Sequence, residues 1–416
     1  MFVPLHNIFS QEFYVPASEE AIAISWNSTG TLMASGHYNG KVRLWTENGS
    51  LVTEMQISQS SIIALTWNSD NYRLLISSGD TNLVIWDTQT QELLPIQHSS
   101  ASAFSSLSWS DVGLFAATHS ADNGGSKTLW VWDTNLQLIS IVGRPPSTSS
   151  LALSPNHLKL AIGDLDRIRI ENSTNLTPLT SPDAIFLLTQ GNGWVTSLTW
   201  SADGQRLIAG YQNAKILIWD INNPNSPIGE FISRQDPNQN QVYDVYNRVS
   251  GLRLNGQLLT SISGTGEIRV WDLTTNQLLN QQFLEIDNPL LDTGFNPIND
   301  ELGYDGVEVG IQITDVCTLS LTSSLETELI LIINQALSFS QATICLTENA
   351  TYTLTASLPS ITGEITIIGN GATINMTGGA QIFNVAETGA LTLKNVTLSG
   401  GNSEQGGAIY NAGDLN

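Results

Sequence analysis

One pattern recurs seven times in the first three quarters of the chain, and no other feature restricts the fold as strongly. The segments AIAISWNSTGTLMASGHYNGKVRLW, IIALTWNSDNYRLLISSGDTNLVIWD, VTSLTWSADGQRLIAGYQNAKILIWD and VSGLRLNGQLLTSISGTGEIRVWD share one grammar. Each runs through an alternating apolar stretch, a polar turn, a short apolar stretch, a second Gly- or Asn-containing turn, and an alternating stretch that ends in Trp. Period-two alternation turns one face of a strand toward a core, and Gly, Asn and Asp break it because they accept the backbone angles of tight turns. The position closing the first stretch is Trp26, Trp67, Trp109, Leu153, Trp200, Leu254 and Phe295, at successive gaps of 41, 42, 44, 47, 54 and 41 residues. The excess in the longest gap falls in NNPNSP (residues 222–227) and SRQDPNQNQ (residues 233–241), whose Pro and Asn content reads as surface loop.

The Trp that ends each unit is Trp45, Trp86, Trp132, Trp219 and Trp271, with Ile170 and Ile311 in its place in the fourth and seventh units. A period of roughly 40 to 45 residues is that of a four-stranded propeller blade. Asp follows the Trp at Asp87, Asp133, Asp220 and Asp272, and this repeated pair makes residues 1–314 resemble the WD-repeat family. The resemblance implies an all-β, seven-bladed β-propeller that binds protein or peptide partners and is not an enzyme. It also implies a binding face formed by the turns between second and third strands, which here hold His37, Tyr38, Asp80, Tyr211, Asn213, Tyr304 and Asp305. Tyrosine suits such a face because it offers a large contact area and a hydrogen bond at low entropy cost. The sequence departs from the family pattern in places. The turn Asp survives as Asp80 and Asp305, but Asn39, Ser126, Asn213 and Thr265 stand there in other units. The Gly-His pair ahead of the first strand is missing, so the family's buried Asp-His-Ser/Thr-Trp tetrad is not carried over. The seventh unit supplies only three strands, and an unpaired edge would be left open. The N-terminal residues Val3 to Ser10 are therefore expected to pair with the strand around Val307 to Ile313 and close the ring.

Beyond Thr314 the tryptophans stop, and residues 315–416 hold one basic residue, Lys394, against eight acidic ones. Ser323 and Glu326 fit a capping box, with Ser323 as N-cap and Glu326 three positions on. Leu325, Leu329, Ile332, Ile333, Ala336 and Leu337 then follow the spacing of an amphipathic helix, a buried strand through LILII being the alternative. After it come short β-branched stretches broken by Gly and Asn, which suit a solenoid whose coils bury their inner faces by stacking. The segments CTLSLTSSLETELILIINQAL, LPSITGEITIIGNG and TLSGGNSEQGGAIYN resemble the N-terminal end of bacterial surface proteins of the polymorphic outer-membrane-protein class. That resemblance implies a capped, truncated start of a right-handed parallel β-helix over residues 315–416, on a cell-surface or extracytoplasmic binding or adhesin-like protein. Two alternatives stand beside it: a cytoplasmic assembly scaffold, and a fragment of a carbohydrate-active enzyme.

The two cysteines, Cys317 and Cys345, flank the helix segment 28 residues apart. In an oxidising compartment they form a disulfide worth about 2–4 kcal/mol; otherwise they are buried thiols. The five histidines (His6, His37, His98, His119 and His157) lack metal-ligand spacing. Asp220 to Asn225 has calcium-loop-like oxygens but neither the central Gly nor the terminal Glu. No metal or other cofactor is expected. With 15 Lys and Arg against 38 Asp and Glu, a net charge of −23, phosphate backbones and anionic lipid are repelled, so nucleic acid is not an expected partner. No membrane span is expected, since no run reaches about 18 apolar residues. The expectation is a monomer binding a protein or peptide, with a surface glycan as a further candidate. The N-terminus has no signal-peptide pattern, so either the chain is cytoplasmic or its start is incomplete.

Overall fold

The computed structural model describes residues 21–47, 49–110, 113–118, 128–143, 150–163, 167–173, 185–188, 193–234, 248–284, 293–295, 301–306, 310–402 and 407–416. They form two compact units, one of Met1–Leu254, Thr260–Arg269 and Gln282–Thr314, the other of Asn255–Leu259, Val270–Gln281 and Asp315–Asn416.

The repeats fold as sheets whose strands follow chain order, the pattern of a β-propeller. Six sheets have four strands, and their first strands are Ala21–Trp26, Ile62–Trp67, Phe104–Ser110, Ser150–Leu153, Val195–Trp200 and Val249–Asn255. The last sheet, Thr293–Phe295, Glu301–Gly306 and Gly310–Asp315, has three strands among the described residues. The closing strand expected from Val3 to Ser10 lies outside the described residues.

The repeated residues do repeated work. Three of the first-strand tryptophans tie their sheets to the one before. Trp67 Nε1 donates to Ser25 O at 3.0 Å and Trp200 Nε1 to Ala152 O at 3.1 Å. Trp26 Nε1 donates to Gly294 O at 2.9 Å, linking the first sheet to the last across 268 residues. The tryptophans ending the third strands form the core: Trp86 and Trp132 are 0% exposed and Trp219 is 1% exposed. The Asp after the Trp caps the next turn. Asp87 Oδ1 accepts from the backbone N–H groups of Gln89 and Thr90, both at 2.9 Å, and Asp133, Asp220 and Asp272 each accept from the residue two further on. Short polar side chains serve turns in this way because they replace a missing backbone bond. Glycines in the second strands seat the next sheet. A Cβ on Gly210 would lie 2.5 Å from Val249 Cβ, and one on Gly163 2.8 Å from Val195 Cγ1.

In the second unit the strands run parallel. Leu319–Ser320, Gln341–Cys345, Glu364–Ile368, Ala390–Lys394 and Asp414–Leu415 form one sheet; Thr351–Leu354, Thr373–Met376 and Thr397–Gly400 form a second; Phe383–Val385 and Ile409–Asn411 form a third. Paired residues are 22 to 26 positions apart, as in Thr351 with Thr373 and Glu364 with Ala390. Alternate residues such as Ile344, Ile365, Ile367, Ile374 and Leu391 point inward and are buried. Asn349, Asn370 and Asn395 turn corners with φ of 50°, 54° and 46°, a left-handed region that Asn tolerates.

The amphipathic segment is a helix, Glu326–Ala336, that buries Leu329, Ile333 and Ala336 over the strands Gln341–Cys345 and Thr351–Leu354. The capping box is not formed. Leu325 is the N-cap and is 59% exposed, with no side-chain cap bond. The Ser323 hydroxyl instead bonds the Glu328 carboxylate, and Glu326, the first helical residue, accepts from Thr355 N at 2.7 Å. Glu326 is thus committed to Thr355, just past the strand Thr351–Leu354, instead of reaching back to its own helix start. Cys317 and Cys345 are joined as a disulfide, with Cα atoms 5.7 Å apart beside buried Ile368.

Candidate interaction face

The turns between second and third strands are built by their own side chains. Asn39 Oδ1 accepts from Lys41 N at 3.1 Å, and Asn213 Oδ1 accepts from Lys215 N at 3.2 Å. Asn therefore does at these positions what the family's Asp does, because only the side-chain oxygen is needed. Asp80 holds its turn with a carboxylate that accepts from Ser58 Oγ at 2.7 Å, Ser78 Oγ at 2.5 Å and Asn82 Nδ2 at 2.9 Å. Partial burial pulls the Asp80 pKa upward, but the bonds from Ser78 and Ser58 hold it below the usual carboxylate range.

Two residues assigned to this face from sequence are not on it. His37 is the last residue of the strand Leu32–His37 and is 0% exposed. Its Nε2 shares a 2.8 Å hydrogen bond with Ser35 Oγ, which also accepts from Trp45 Nε1 at 2.8 Å. A Trp–Ser–His chain therefore exists in the first sheet, with its histidine drawn from the second strand rather than from ahead of the first. Tyr211 ends the equivalent strand Arg206–Tyr211, is 0% exposed, and meets Trp219 edge to face at a centroid distance of 6.5 Å. Its hydroxyl has no hydrogen-bond partner among the described residues, and burial pushes its pKa far above the ordinary value. Tyr304 and Asp305 lie within the strand Glu301–Gly306, where Tyr304 pairs with Thr293, rather than in a turn.

For His37 and Tyr211 the shared reason is register. In the first, second and fifth sheets the inner strand carries a bulge near its start, between Ala21 and Ala23, Ile62 and Ala64, and Val195 and Ser197. A one-residue shift moves the final residue of the partner strand from the turn into the ladder.

Tyr38 does face solvent, at 48% exposure. The sequence reading missed Trp194, which is 42% exposed. Its carbonyl accepts from Gln212 N at 3.0 Å, which holds it against the second turn of the fifth sheet, the counterpart of the turn that carries Tyr38. The signal was available: Trp194 is one of two tryptophans outside the repeat positions, and the other, Trp130, is buried.

No group of three or more His, Cys, Asp or Glu side chains able to hold a metal occurs among the described residues. His98 packs edge-on to Phe104 at 5.0 Å, and burial lowers its pKa. His6 and His119 lie outside the described residues. No helix among the described residues is long and apolar enough to cross a membrane.

Comparison with known proteins supports the repeat assignment. Residues 7–70 match the family described as Anaphase-promoting complex subunit 4 WD40 domain, and residues 184–220 match WD domain, G-beta repeat. The F-box-like/WD repeat-containing protein TBL1Y of Homo sapiens is 40% identical over 78 residues, 19% of this chain and 15% of that protein. The B-type cell cycle switch protein ccs52A of Medicago truncatula is 28% identical over 209 residues, 47% of this chain and 41% of the relative. The WD repeat-containing protein 91 homolog of Dictyostelium discoideum is 24% identical over 234 residues, 55% of this chain and 30% of the relative. Each alignment spans less than half of the relative's own length. Both matched segments lie before residue 221, and nothing in these relatives supports a bacterial adhesin.

Proposed function

We propose that the chain is a non-catalytic protein-interaction scaffold: a WD-repeat propeller of seven blades that takes a peptide segment of a partner protein on its turn face, joined to the capped start of a right-handed parallel β-helix. The seven-blade reading is supported by the bond from Trp26 to Gly294, which repeats between first and last sheets the link made by Trp67 and Trp200 between neighbours. The β-helix reading is supported by the 22- to 26-residue stacking of parallel strands.

One observation carries the function: Tyr38 is exposed on the second turn of the first sheet, and Trp194 is exposed just before the first strand of the fifth sheet, bonded to the equivalent turn there. Aromatic side chains on an otherwise polar rim are the usual anchors of a protein interface. The test is quantitative capture of partners by the wild-type chain, a Tyr38→Ala/Trp194→Ala chain, and a Leu158→Ala chain. Leu158 is 51% exposed on the turn between first and second strands, at the opposite end of its sheet. Loss of at least tenfold in the double variant with none in Leu158→Ala supports the face; equal loss in both, or loss in neither, removes it.

The assembly-scaffold reading agrees better with the WD-repeat relatives than the adhesin reading does. An extracytoplasmic location is favoured by one observation, the Cys317–Cys345 bond, because such bonds persist in oxidising compartments. The thiol state of the two residues in native material decides between the compartments.

A further inference from the structure

The fourth strand of each four-stranded sheet is an edge, and a row of unpaired backbone N–H and C=O groups is a template for another strand unless something blunts it. Four of these edges are blunted or covered. Leu51–Gln56 carries Glu54, which pairs with Lys41 at 2.8 Å and Arg43 at 3.0 Å. Glu92–Pro95 begins on a carboxylate and ends on a proline, which has no N–H to offer. Gly229–Ile232 is four residues long and carries Glu230, paired with Lys215 at 2.7 Å. In Gln277–Phe283, Asn280 Nδ2 donates to Cys317 O at 2.7 Å, both residues lying in the second unit.

The fourth strand of the third sheet, Leu138–Gly143, has none of these devices. Its sequence, LISIVG, holds no charge and no proline. Thr128–Trp132 is its one neighbouring strand among the described residues, so the other edge has no partner strand there. Leu138, Ile139 and Ile141 are 42%, 61% and 48% exposed, more large exposed apolar side chains than any other outer strand shows among the described residues. A bulge sets Ile139 apart, as one beside Trp45 does in the first sheet, and residues 140–143 keep regular register with residues 128–131. An extended peptide is what such an edge takes, because its backbone satisfies the open groups while alternate side chains cover the isoleucines. A second copy carries the same net charge of −23 and is repelled, whereas a basic segment is attracted.

We propose that Leu138–Gly143 is a strand-addition site for an extended, β-branched, basic segment of a partner protein. The site is distinct from the turn face, and its test does not depend on that face. The probe is a fluorescein-labelled peptide, Lys-Val-Thr-Ile-Thr-Val-Lys, titrated with the full chain and read by anisotropy. One control peptide has Pro in place of Ile, which removes a ladder donor, and another has Glu in place of both Lys. The expected result is saturable binding of one peptide per chain, at least tenfold weaker for both controls and for an Ile139→Lys/Ile141→Lys chain. Hydrogen exchange should slow at residues 138–143 in the complex. The proposal is overturned if the basic peptide does not saturate, if either control binds equally well, or if the folded double variant binds like wild type. It is also overturned if the slowed amides lie elsewhere, the turn at Tyr38 included. Dimerisation of the free chain that the double variant abolishes would assign the edge to a second copy and overturn it too. Should the double variant fail to fold, the control peptides and the exchange map on the wild-type chain decide alone.

Discussion

Replacing Tyr211 with Phe should stabilise the propeller, the opposite of what loss of a surface recognition residue would do. The ring is fully buried against Trp219, and its hydroxyl has no partner among the described residues. A buried hydroxyl without a hydrogen bond costs about 1–3 kcal/mol. Removing one oxygen leaves a void of roughly 15 Å³, which at about 24 cal/mol per Å³ takes back about 0.4 kcal/mol. The ring, and its contact with Trp219, stay. The net gain is therefore about 0.6–2.6 kcal/mol, which raises the melting transition by a few degrees at most in a unit of this size. Urea unfolding followed by tryptophan fluorescence measures it as a higher midpoint with an unchanged slope. Tyr211→Ala, by contrast, empties the ring's volume and costs about 3–5 kcal/mol. A Tyr211→Phe chain less stable than wild type by 1 kcal/mol would refute the reasoning, since the hydroxyl would then have a strong partner.

Four other outcomes follow from the same geometry. Trp45→Phe should cost about 1–3 kcal/mol more than Trp86→Phe, because Trp45 Nε1 bonds Ser35 while Trp86 Nε1 has no partner among the described residues; urea midpoints compare them. Gly210→Ala forces a methyl to 2.5 Å from Val249 and should destabilise by about 1–3 kcal/mol, with Val249→Ala restoring much of the loss in a double-mutant cycle. Replacing Cys317 and Cys345 by Ser should cost the second unit about 3.5 kcal/mol from loop closure over the 28-residue separation, read as earlier unfolding of the strands 341–394 by hydrogen exchange. Acid should weaken the fold in two stages, seen in unfolding midpoints against pH. The His98 pKa is lowered by burial, so its contribution is complete above the ordinary value of 6.5 and falls below it. Asp87, lowered by the Thr90 backbone bond, and Asp203, lowered by the Ser201 hydroxyl, contribute fully above 3.8 and lose that contribution as pH falls through their folded values.

The parts of the fold legible in sequence are those set by local patterning. The first-strand and third-strand tryptophans, the Asp after the third-strand ones and the Gly-rich parallel corners all follow from strand period and turn chemistry, so residues as far apart as Trp45 and Trp219 could be placed in equivalent roles. The weak fourth unit was readable too, with Ile170 buried where others have Trp. What could not be read depends on register and long-range contact. His37 and Tyr211 look like turn residues because each precedes a polar pair, and only the bulge opposite them draws them into the sheet. Ser323 and Glu326 fit a local cap, but Glu326 is taken by Thr355, 29 residues away. Trp194 was passed over because it breaks the repeat, and residues that break a structural repeat are the ones freed for binding.

A closed ring, on which the turn face depends, requires the first sheet to sit beside the last. A Cβ on Gly294 would stand 3.0 Å from Ile24 Cγ2, so an Ile24→Cys/Gly294→Cys chain should oxidise to an intramolecular 24–294 disulfide. Peptide mapping of the non-reduced monomer reads the result. A 24–294 linkage in high yield, with the Cys317–Cys345 peptide unaffected, is what a closed ring predicts. Thiols at 24 and 294 that stay free, or that cross-link only between chains, would contradict it and remove the turn face with it.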